Sequence, residues 1–267
     1  MTAKTTNMFW TVRVAMMAVA ISAILPIASK AQQKQDLAPR SAEGRHYAAC
    51  MALARRDPKA AHESALAWRK KGGGDSALHC VAVALLGLGQ YGQAGQMMEE
   101  LAVRTESKRV ALKAGLLGQA ANAWLISGQP RRAERLLTDA LALDPRDVEI
   151  MLDRSIARAA LGNYWEALDD LNEALDQNPD RPDALTFRAS AWRRVDALDL
   201  AEMDIAAALK HRPDNPDSLL ERGLIRKARG NRAGARADWL RILEISIEGP
   251  LTEAARHNLE TMDVKKR

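Results

Sequence analysis

The side chains that could perform chemistry in this sequence are scattered, without the spacing of a catalytic or metal site. Five histidines are present: His46, His62, His79, His211 and His257. They do not form a zinc-ligand spacing. The run Gly72-Gly73-Gly74 is not followed by the lysine and serine of a phosphate-binding loop. We therefore expect no catalytic residue, no cofactor and no metal ion, and an enzyme is the least favoured class.

The helices that must position these side chains follow from a repeat of 34 residues. Four alanines recur at this interval: Ala133, Ala167, Ala201 and Ala235. Glycines precede three of them and prolines close three units, at Gly128, Gly162, Gly230, Pro145, Pro179 and Pro213. Apolar or small residues lie at helical spacing on both sides of each turn, which predicts two antiparallel helices per unit. A period of this length indicates units that stack on each other.

Small residues in the first helix of each unit complete a pattern that resembles the tetratricopeptide repeat. They are Ala121, Ser155, Ala189 and Gly223. Members of this family are helical hairpins with a small residue inside the first helix, a glycine turn, a small residue in the second helix and a closing proline. The resemblance implies an all-α fold: a right-handed superhelical solenoid of about six helix-turn-helix units with a C-terminal capping helix.

The predicted organisation of the chain follows the repeat. It comprises a signal peptide (1–31), a flexible linker (32–41), degenerate N-terminal repeats (42–113), four regular repeats (114–249) and a capping helix with a tail (250–267). Five extra residues lie between the two kinds of repeat, and no proline interrupts 106–126. We therefore expect the helix there to be about one turn longer. Residues Leu251, Ala255, Leu259 and Met262 predict the apolar side of the capping helix.

The N-terminal residues predict export. Lys4 and Arg13 precede the apolar run Val14–Ile27, which is too short to span a bilayer comfortably, and Ala31 offers a cleavage site. We predict a periplasmic protein that contacts the membrane only transiently, through its signal peptide. The alternative is an uncleaved anchor in the inner membrane, with the protein facing the periplasm.

The charge balance argues against nucleic acid as a partner. The chain holds 39 basic and 34 acidic residues, but residues 1–31 contribute three of the basic ones and no acid. Without them, 36 basic and 34 acidic residues remain. A phosphate-binding surface requires an excess of positive charge, so we expect no nucleic-acid binding.

Two cysteines, Cys50 and Cys80, lie on the first helices of consecutive units. Export would place them in an oxidising compartment, where an even count of cysteines is typical of a disulfide. A bridge would connect the most degenerate unit to its neighbour. The alternative is two small buried thiols, since free cysteine packs well in cores.

Three units carry an arginine before the small residue of the first helix and an aspartate 16 residues later. The combinations are Arg154 with Asp170, Arg188 with Asp204, and Arg222 with Asp238. Two earlier units have apolar residues at both positions: Ala120 with Leu136, and Val81 with Met97. This joint change predicts structural ion pairs across each hairpin, because a buried arginine needs a carboxylate. The alternative is that both side chains point into solvent.

The resemblance implies a peptide-binding groove, lined by the first helices on the side away from their partners. By spacing, the lining residues are Asn122, Leu152, Ile156, Thr186, Ser190, Arg193, Leu220, Leu224 and Lys227. These residues suit an extended or helical apolar peptide with an acidic residue near Arg193. The alternative is that individual side chains only fill the interior or touch the capping helix.

The predicted function is a periplasmic scaffold that binds a peptide segment of another envelope or exported protein in this groove. The alternative is a holdase-type chaperone that uses the same groove for apolar segments of exported proteins, without sequence preference. Neither the identity of the partner nor the oligomeric state follows from the sequence.

Overall fold

The computed structural model describes residues 41–263, which form thirteen α-helices and no strand. The helices are α1 (Ala42–Arg56), α2 (Pro58–Lys70), α3 (Gly74–Gly87), α4 (Tyr91–Arg104), α5 (Val110–Ile126), α6 (Pro130–Leu143), α7 (Val148–Leu161), α8 (Tyr164–Gln177), α9 (Pro182–Arg194), α10 (Leu198–His211), α11 (Pro216–Ala228), α12 (Arg232–Ile245) and α13 (Pro250–Asp263). The all-α prediction is confirmed. The predicted signal peptide, most of the predicted linker and the last four residues lie outside the described residues.

The described residues divide into two compact units, 41–145 and 146–263. The N-terminal unit contains α1 to α6 and the C-terminal unit contains α7 to α13. Consecutive helices pair as hairpins in each unit, and α13 packs on α11 and α12. The division coincides with the end of one predicted repeat, at Pro145, rather than with the predicted change from degenerate to regular repeats after residue 113.

Side chains cap three of the helix starts in the C-terminal unit, those of α7, α11 and α12. Asp147 Oδ1 accepts a hydrogen bond from the amide of Ile150 (3.1 Å) at the start of α7. Asn215 Oδ1 accepts from the amide of Ser218 (2.9 Å) at the start of α11. Such caps satisfy amides that have no partner inside the helix. Proline is the first residue of α9 and α11, where its missing amide costs no hydrogen bond.

The turn between the helices of a hairpin requires a residue in the left-handed region. Gly128, Gly162 and Gly230 adopt φ of 80°, 88° and 80° there. The repeat at 182–215 has Asp196 at the equivalent position, with φ of 62°. Glycine adopts this conformation without steric cost, whereas the Cβ of an L-residue crowds the backbone. Asp196 is therefore a strained position in an otherwise regular turn.

Asp196→Gly should raise the free energy of unfolding by about 1 kcal/mol, because it removes the cost of a left-handed L-residue. Gly162→Ala, the reverse change at the equivalent turn, should lower it by about 1 kcal/mol. Urea unfolding followed by circular dichroism measures both. Unchanged midpoints in both variants would contradict the assignment of strain to this turn position.

The small first-helix residues let the two helices of a hairpin approach closely. Ala121, Ser155 and Ala189 are fully buried. Gly223 is the extreme case, because a Cβ at that position would lie 2.8 Å from Cδ1 of Trp239. The Trp239 side chain is itself fully buried against this glycine. The indole thus occupies space that a larger first-helix residue would need.

Two helices differ from the regular repeat as expected from the sequence. Helix α5 has 17 residues, whereas the other described helices have 13 to 15. This is about one extra turn. Helix α13 buries one side, formed by Leu251, Ala255, Leu259 and Met262. It covers apolar surface that α11 and α12 would otherwise expose.

A disulfide joins Cys50 in α1 to Cys80 in α3, with a Cα–Cα distance of 6.3 Å. Both cysteines are buried. The predicted bridge is therefore present, and the alternative of two free thiols is wrong. Closing a loop of this length stabilises the folded state by about 3 to 4 kcal/mol on the chain-entropy model. The bridge connects the first helices of the two most degenerate repeats.

Candidate functional site

Each hairpin of the C-terminal unit contains a buried arginine–aspartate pair. The shortest nitrogen–oxygen distances are 2.7 Å for Arg154–Asp170, 2.7 Å for Arg188–Asp204 and 2.6 Å for Arg222–Asp238. The three aspartates are at most 7% exposed. Each arginine uses two nitrogens on its carboxylate, and such bidentate geometry is the strongest form of this contact. The structure thus contains all three predicted pairs.

A second arginine, one helical turn later, joins two of these pairs. Arg158 Nη1 lies 2.9 Å from Asp170 Oδ2, and Arg226 Nη1 lies 2.8 Å from Asp238 Oδ2. Arg158 also donates to the backbone carbonyl of Glu166 (2.9 Å), in the first turn of α8. Neither Arg158 nor Arg226 was predicted from the sequence to take part in these pairs. The sequence does contain a signal for them. In each of these two repeats a second arginine follows the paired arginine by four residues, which places both on the same side of the helix.

The hairpin of α9 and α10 has no second arginine on its aspartate. Trp192 replaces the second arginine there, and Arg188 Nη1 donates instead to Asn172 Oδ1 (3.0 Å). The Trp192 ring meets the ring of Trp165 edge to face, with 6.0 Å between centroids. The contact joins α9 to the preceding α8. Trp165 remains 63% exposed, so it also contributes to the outer surface.

Removal of one partner tests whether these pairs stabilise the hairpins. Asp204→Leu should lower the free energy of unfolding by about 3 kcal/mol, because it leaves the Arg188 guanidinium without its carboxylate. Arg188→Met combined with Asp204→Leu should recover most of that loss, since the repeat at 114–147 packs Ala120 and Leu136 at these positions. Chemical unfolding of the wild type, both single variants and the double variant measures the coupling. Additive losses would show that the pair is not coupled.

The first helices of the C-terminal unit contact one another directly. Thr186 in α9 and Ser218 in α11 share a hydrogen bond between their hydroxyls (2.7 Å). Both side chains are buried. The predicted groove residues of this unit lie on these helices, about half a helical turn away from the paired arginines. We call the surface formed by Leu152, Ile156, Thr186, Ser190, Arg193, Leu220, Leu224 and Lys227 the first-helix face.

The residues of the first-helix face differ strongly in exposure. Five are buried: Leu152, Ile156, Thr186, Ser190 and Leu220. Leu224 and Arg193 are half-buried, and Lys227 is exposed. Asn122 belongs to the N-terminal unit, where it is half-buried on α5. Because Ile156 is fully buried, a charged substitution there would disrupt packing, so contact with a ligand must be tested at the more accessible positions.

Arg193 has an acidic partner within the chain. Its Nη2 lies 3.4 Å from Glu221 Oε2, and its Nε also contacts this carboxylate. Glu221 is fully buried, and Arg193 is 16% exposed. The expectation of an acidic ligand residue near Arg193 is therefore corrected, because Glu221 of the next repeat already neutralises this guanidinium. The 34-residue repeat predicted that both residues lie on first helices, but it did not predict a contact between them.

A second charged cluster lies at the starts of the first helices. Arg181, just before α9, donates to both oxygens of Glu149 (2.6 and 2.8 Å) and both oxygens of Asp183 (2.8 and 3.0 Å). The hydrogen bond with Glu149 is the main reason that the pKa of the Arg181 guanidinium is raised, and Asp183 adds to it. A cation is thus held between carboxylates of two consecutive repeats.

The first helices of the N-terminal unit are joined by a chain of neutral polar groups. Tyr47 Oη donates to His79 Nδ1 (2.7 Å), and His79 Nε2 donates to Gln119 Oε1 (2.9 Å). Burial lowers the pKa of the His79 imidazole, which the bond to Gln119 partly opposes, and burial raises the pKa of the Tyr47 hydroxyl. The chain therefore connects α1, α3 and α5 in its neutral form. Between residues 41 and 263, no cluster of three His, Cys, Asp or Glu side chains could hold a metal ion.

A cleft of about 400 Å³ opens between α4, α5 and α6. The lengthened start of α5 contributes Lys113 and Leu117 to its wall, and Arg135 and Asp139 come from α6. Val103, at the end of α4, lines the cleft and is 81% exposed. This cleft was not predicted from the sequence, although it lies beside the five inserted residues.

Comparison with known proteins supports the repeat assignment. The family model described as tetratricopeptide repeat matches residues 125–191. A tetratricopeptide repeat protein from Parabacteroides merdae superposes with a TM-score of 0.64 at 17% identity, covering 93% of this chain and 92% of that one. Residues 125–191 thus match the tetratricopeptide repeat, and the solved structure shows that the fold extends over most of the chain. Comparison with curated protein sequences finds no significant match.

Two further solved structures are similar in fold. MamA from Desulfovibrio magneticus RS-1 has a TM-score of 0.55 at 17% identity, covering 64% of this chain and 93% of that one. YrrB, described as a tetratricopeptide repeat protein with an unusual peptide-binding site, has a TM-score of 0.51 at 17% identity, covering 73% and 96%. At these identities the likeness extends to the fold alone.

Proposed function

We propose that the protein is an interaction scaffold whose first-helix face binds a segment of another protein. The observation that carries this proposal is the direct lateral packing of the first helices. Thr186 with Ser218, and Arg193 with Glu221, connect α9 to α11. Helix α9 also packs against α7. Three hairpins thus contribute to one surface, and a surface of this kind suits a ligand that runs across several repeats.

Within the first-helix face, we assign direct contact with the ligand to Leu224, Arg193 and Lys227, which are the accessible members. The buried members, such as Ile156 and Leu220, set the position of the helices that carry them. Asn122 is proposed as a polar contact on α5, in the N-terminal unit. The apolar character of Leu224 suits an apolar side chain in the bound segment.

We propose further that the protein acts outside the cytoplasm, in the periplasm. The Cys50–Cys80 disulfide supports this location, because such bridges persist in oxidising compartments. The apolar run Val14–Ile27 after Lys4 and Arg13 supports export. Between residues 41 and 263, no helix meets the length and hydropathy needed to cross a membrane. The proposed partner is accordingly another envelope or exported protein.

Leu224→Glu should abolish or weaken capture of the partner at least tenfold, because a carboxylate on this face would oppose an apolar side chain. The matched control is Leu240→Glu, since Leu240 is 41% exposed on the second helix α12. A photoreactive residue at position 227, used in envelope extract, would identify the captured proteins. Equal loss of capture in both variants would contradict a binding role for the first-helix face. Unchanged capture in both variants would contradict it as well.

The same experiment separates a scaffold from a holdase-type chaperone. A scaffold should yield one or two crosslinked partners at stoichiometric amounts. A broad set of unfolded exported proteins would assign the chaperone function instead. Circular dichroism of each variant must match the wild type, so that a lost crosslink reports binding rather than unfolding.

A further inference from the structure

We infer that the cleft between α4, α5 and α6 binds a small amphipathic anion, an apolar chain that ends in a carboxylate, as in a medium-chain fatty acid. All residues that line this cleft belong to the N-terminal unit. The inference therefore does not depend on the first-helix face and goes beyond the proposed function. It rests on the size of the cleft, on its apolar walls and on the charges that line it.

The cleft lies where the regular repeat is interrupted. Helix α4 ends at Arg104 and the lengthened α5 begins at Val110. The volume of about 400 Å³ is within the range of roughly 300 to 1,000 Å³ that is typical of small-molecule sites. Ala102 and Ala142 line the cleft, and their side chains end at Cβ, so they leave space between their larger neighbours. The size of the cleft thus suits a small molecule.

Apolar side chains form much of the wall. Leu117 and Leu136 are buried, and Leu143 is half-buried. Val103 lines the cleft and is 81% exposed, the highest value among the large apolar side chains described in the N-terminal unit. An apolar chain in the cleft would cover Val103 and remove its own surface from water, which is favourable in proportion to the area buried.

The acidic residue deepest in the cleft is already neutralised by the protein. Glu99 accepts hydrogen bonds from Arg132 Nε (2.7 Å) and Arg132 Nη2 (3.1 Å). The indole of Trp124 also donates to this carboxylate. Because its oxygens are occupied by these donors, Glu99 attracts no further cation and opposes an anionic ligand only weakly.

Two cations of the cleft remain available to an anion. Lys113 is half-buried and forms no ion pair with any described residue. Arg135 is exposed and approaches Glu99 only to 4.0 Å. Asp139 also lines the cleft, but it is exposed, so water screens its charge. Leu117 follows Lys113 by one helical turn on the same side of α5. The ligand carboxylate is accordingly placed at Lys113 and the apolar chain along Leu117.

Three ligands with the same ten-carbon chain test the inference on the full chain: decanoate, decan-1-ol and decyltrimethylammonium. Isothermal titration calorimetry should show one bound decanoate, held about tenfold more tightly than decan-1-ol, and the cation should bind most weakly. Each methylene removed from the fatty acid should weaken binding about threefold, because less apolar surface is buried. The advantage of decanoate over decan-1-ol should shrink in 0.5 M NaCl, since salt screens the charges.

Two variants locate the binding site. Lys113→Gln should weaken decanoate about fivefold and leave decan-1-ol unchanged, because it removes the charge but keeps most of the side chain. Ala142→Trp should weaken both ligands at least tenfold, because the indole would occupy the cleft, and Ala142 is exposed, so the core is not altered.

The matched control is Lys59→Gln, which removes an exposed lysine from α2, a helix that does not line the cleft. It should leave all three affinities unchanged. Circular dichroism of each variant must match the wild type. If Ala142→Trp does not fold, the Lys113→Gln result decides.

Each other outcome overturns a defined part of the inference. Equal or tighter binding of decan-1-ol or of decyltrimethylammonium overturns the anionic ligand. Decanoate binding that persists in a folded Ala142→Trp variant overturns the cleft as its site. Absence of binding by all three ligands overturns the inference as a whole.

A fourth ligand separates a fatty acid from a peptide. This ligand is a tetrapeptide with a blocked amino end and a free C-terminal leucine. Tighter binding of the tetrapeptide than of decanoate would assign the cleft to a peptide carboxylate and overturn the fatty-acid assignment. All of these outcomes leave the proposed function intact, because its test uses Leu224 in the C-terminal unit.

Discussion

The close approach of the two helices in each hairpin is the constraint on which the rest of the structure depends. It requires a small residue inside the first helix, and Gly223 beneath Trp239 shows how little space remains. Because the helices approach so closely, side chains beside the small residue are removed from water. An arginine there needs a buried carboxylate, as in Arg188–Asp204. The same packing leaves the opposite side of the first helix for contact with neighbouring repeats, and this is the side proposed to bind a ligand.

The two units satisfy this constraint with different chemistry. The C-terminal unit uses charged pairs across each hairpin, and two of its aspartates receive two arginines each. The N-terminal unit uses apolar residues at these positions and connects its first helices by the Cys50–Cys80 disulfide and the bonds of His79. Covalent and neutral polar links therefore join the first helices where the repeat pattern is weakest. The proposed first-helix face belongs to the C-terminal unit.

The disulfide was predicted from the even number of cysteines and the expected export of the chain. The period of the sequence was sufficient to predict the hairpins, the longer α5 and the arginine–aspartate pairs. These features depend on contacts at fixed spacing within a repeat or between equivalent positions. Contacts between different positions of adjacent repeats were not predictable, because the distance between first helices depends on packing. The Arg193–Glu221 pair and the burial of Ile156 are of this kind. For the same reason, the period indicated which residues form the first-helix face. It did not indicate which of them are accessible on the surface.

The most direct test of the account is amide hydrogen exchange of the full chain with and without the partner captured by crosslinking from position 227. If the first-helix face binds this partner, protection should increase in α7, α9 and α11. The second helices α8, α10 and α12 should exchange at unchanged rates. Protection confined to the second helices, or a bound partner that protects no first helix, would contradict the central claim that the first-helix face is the binding surface.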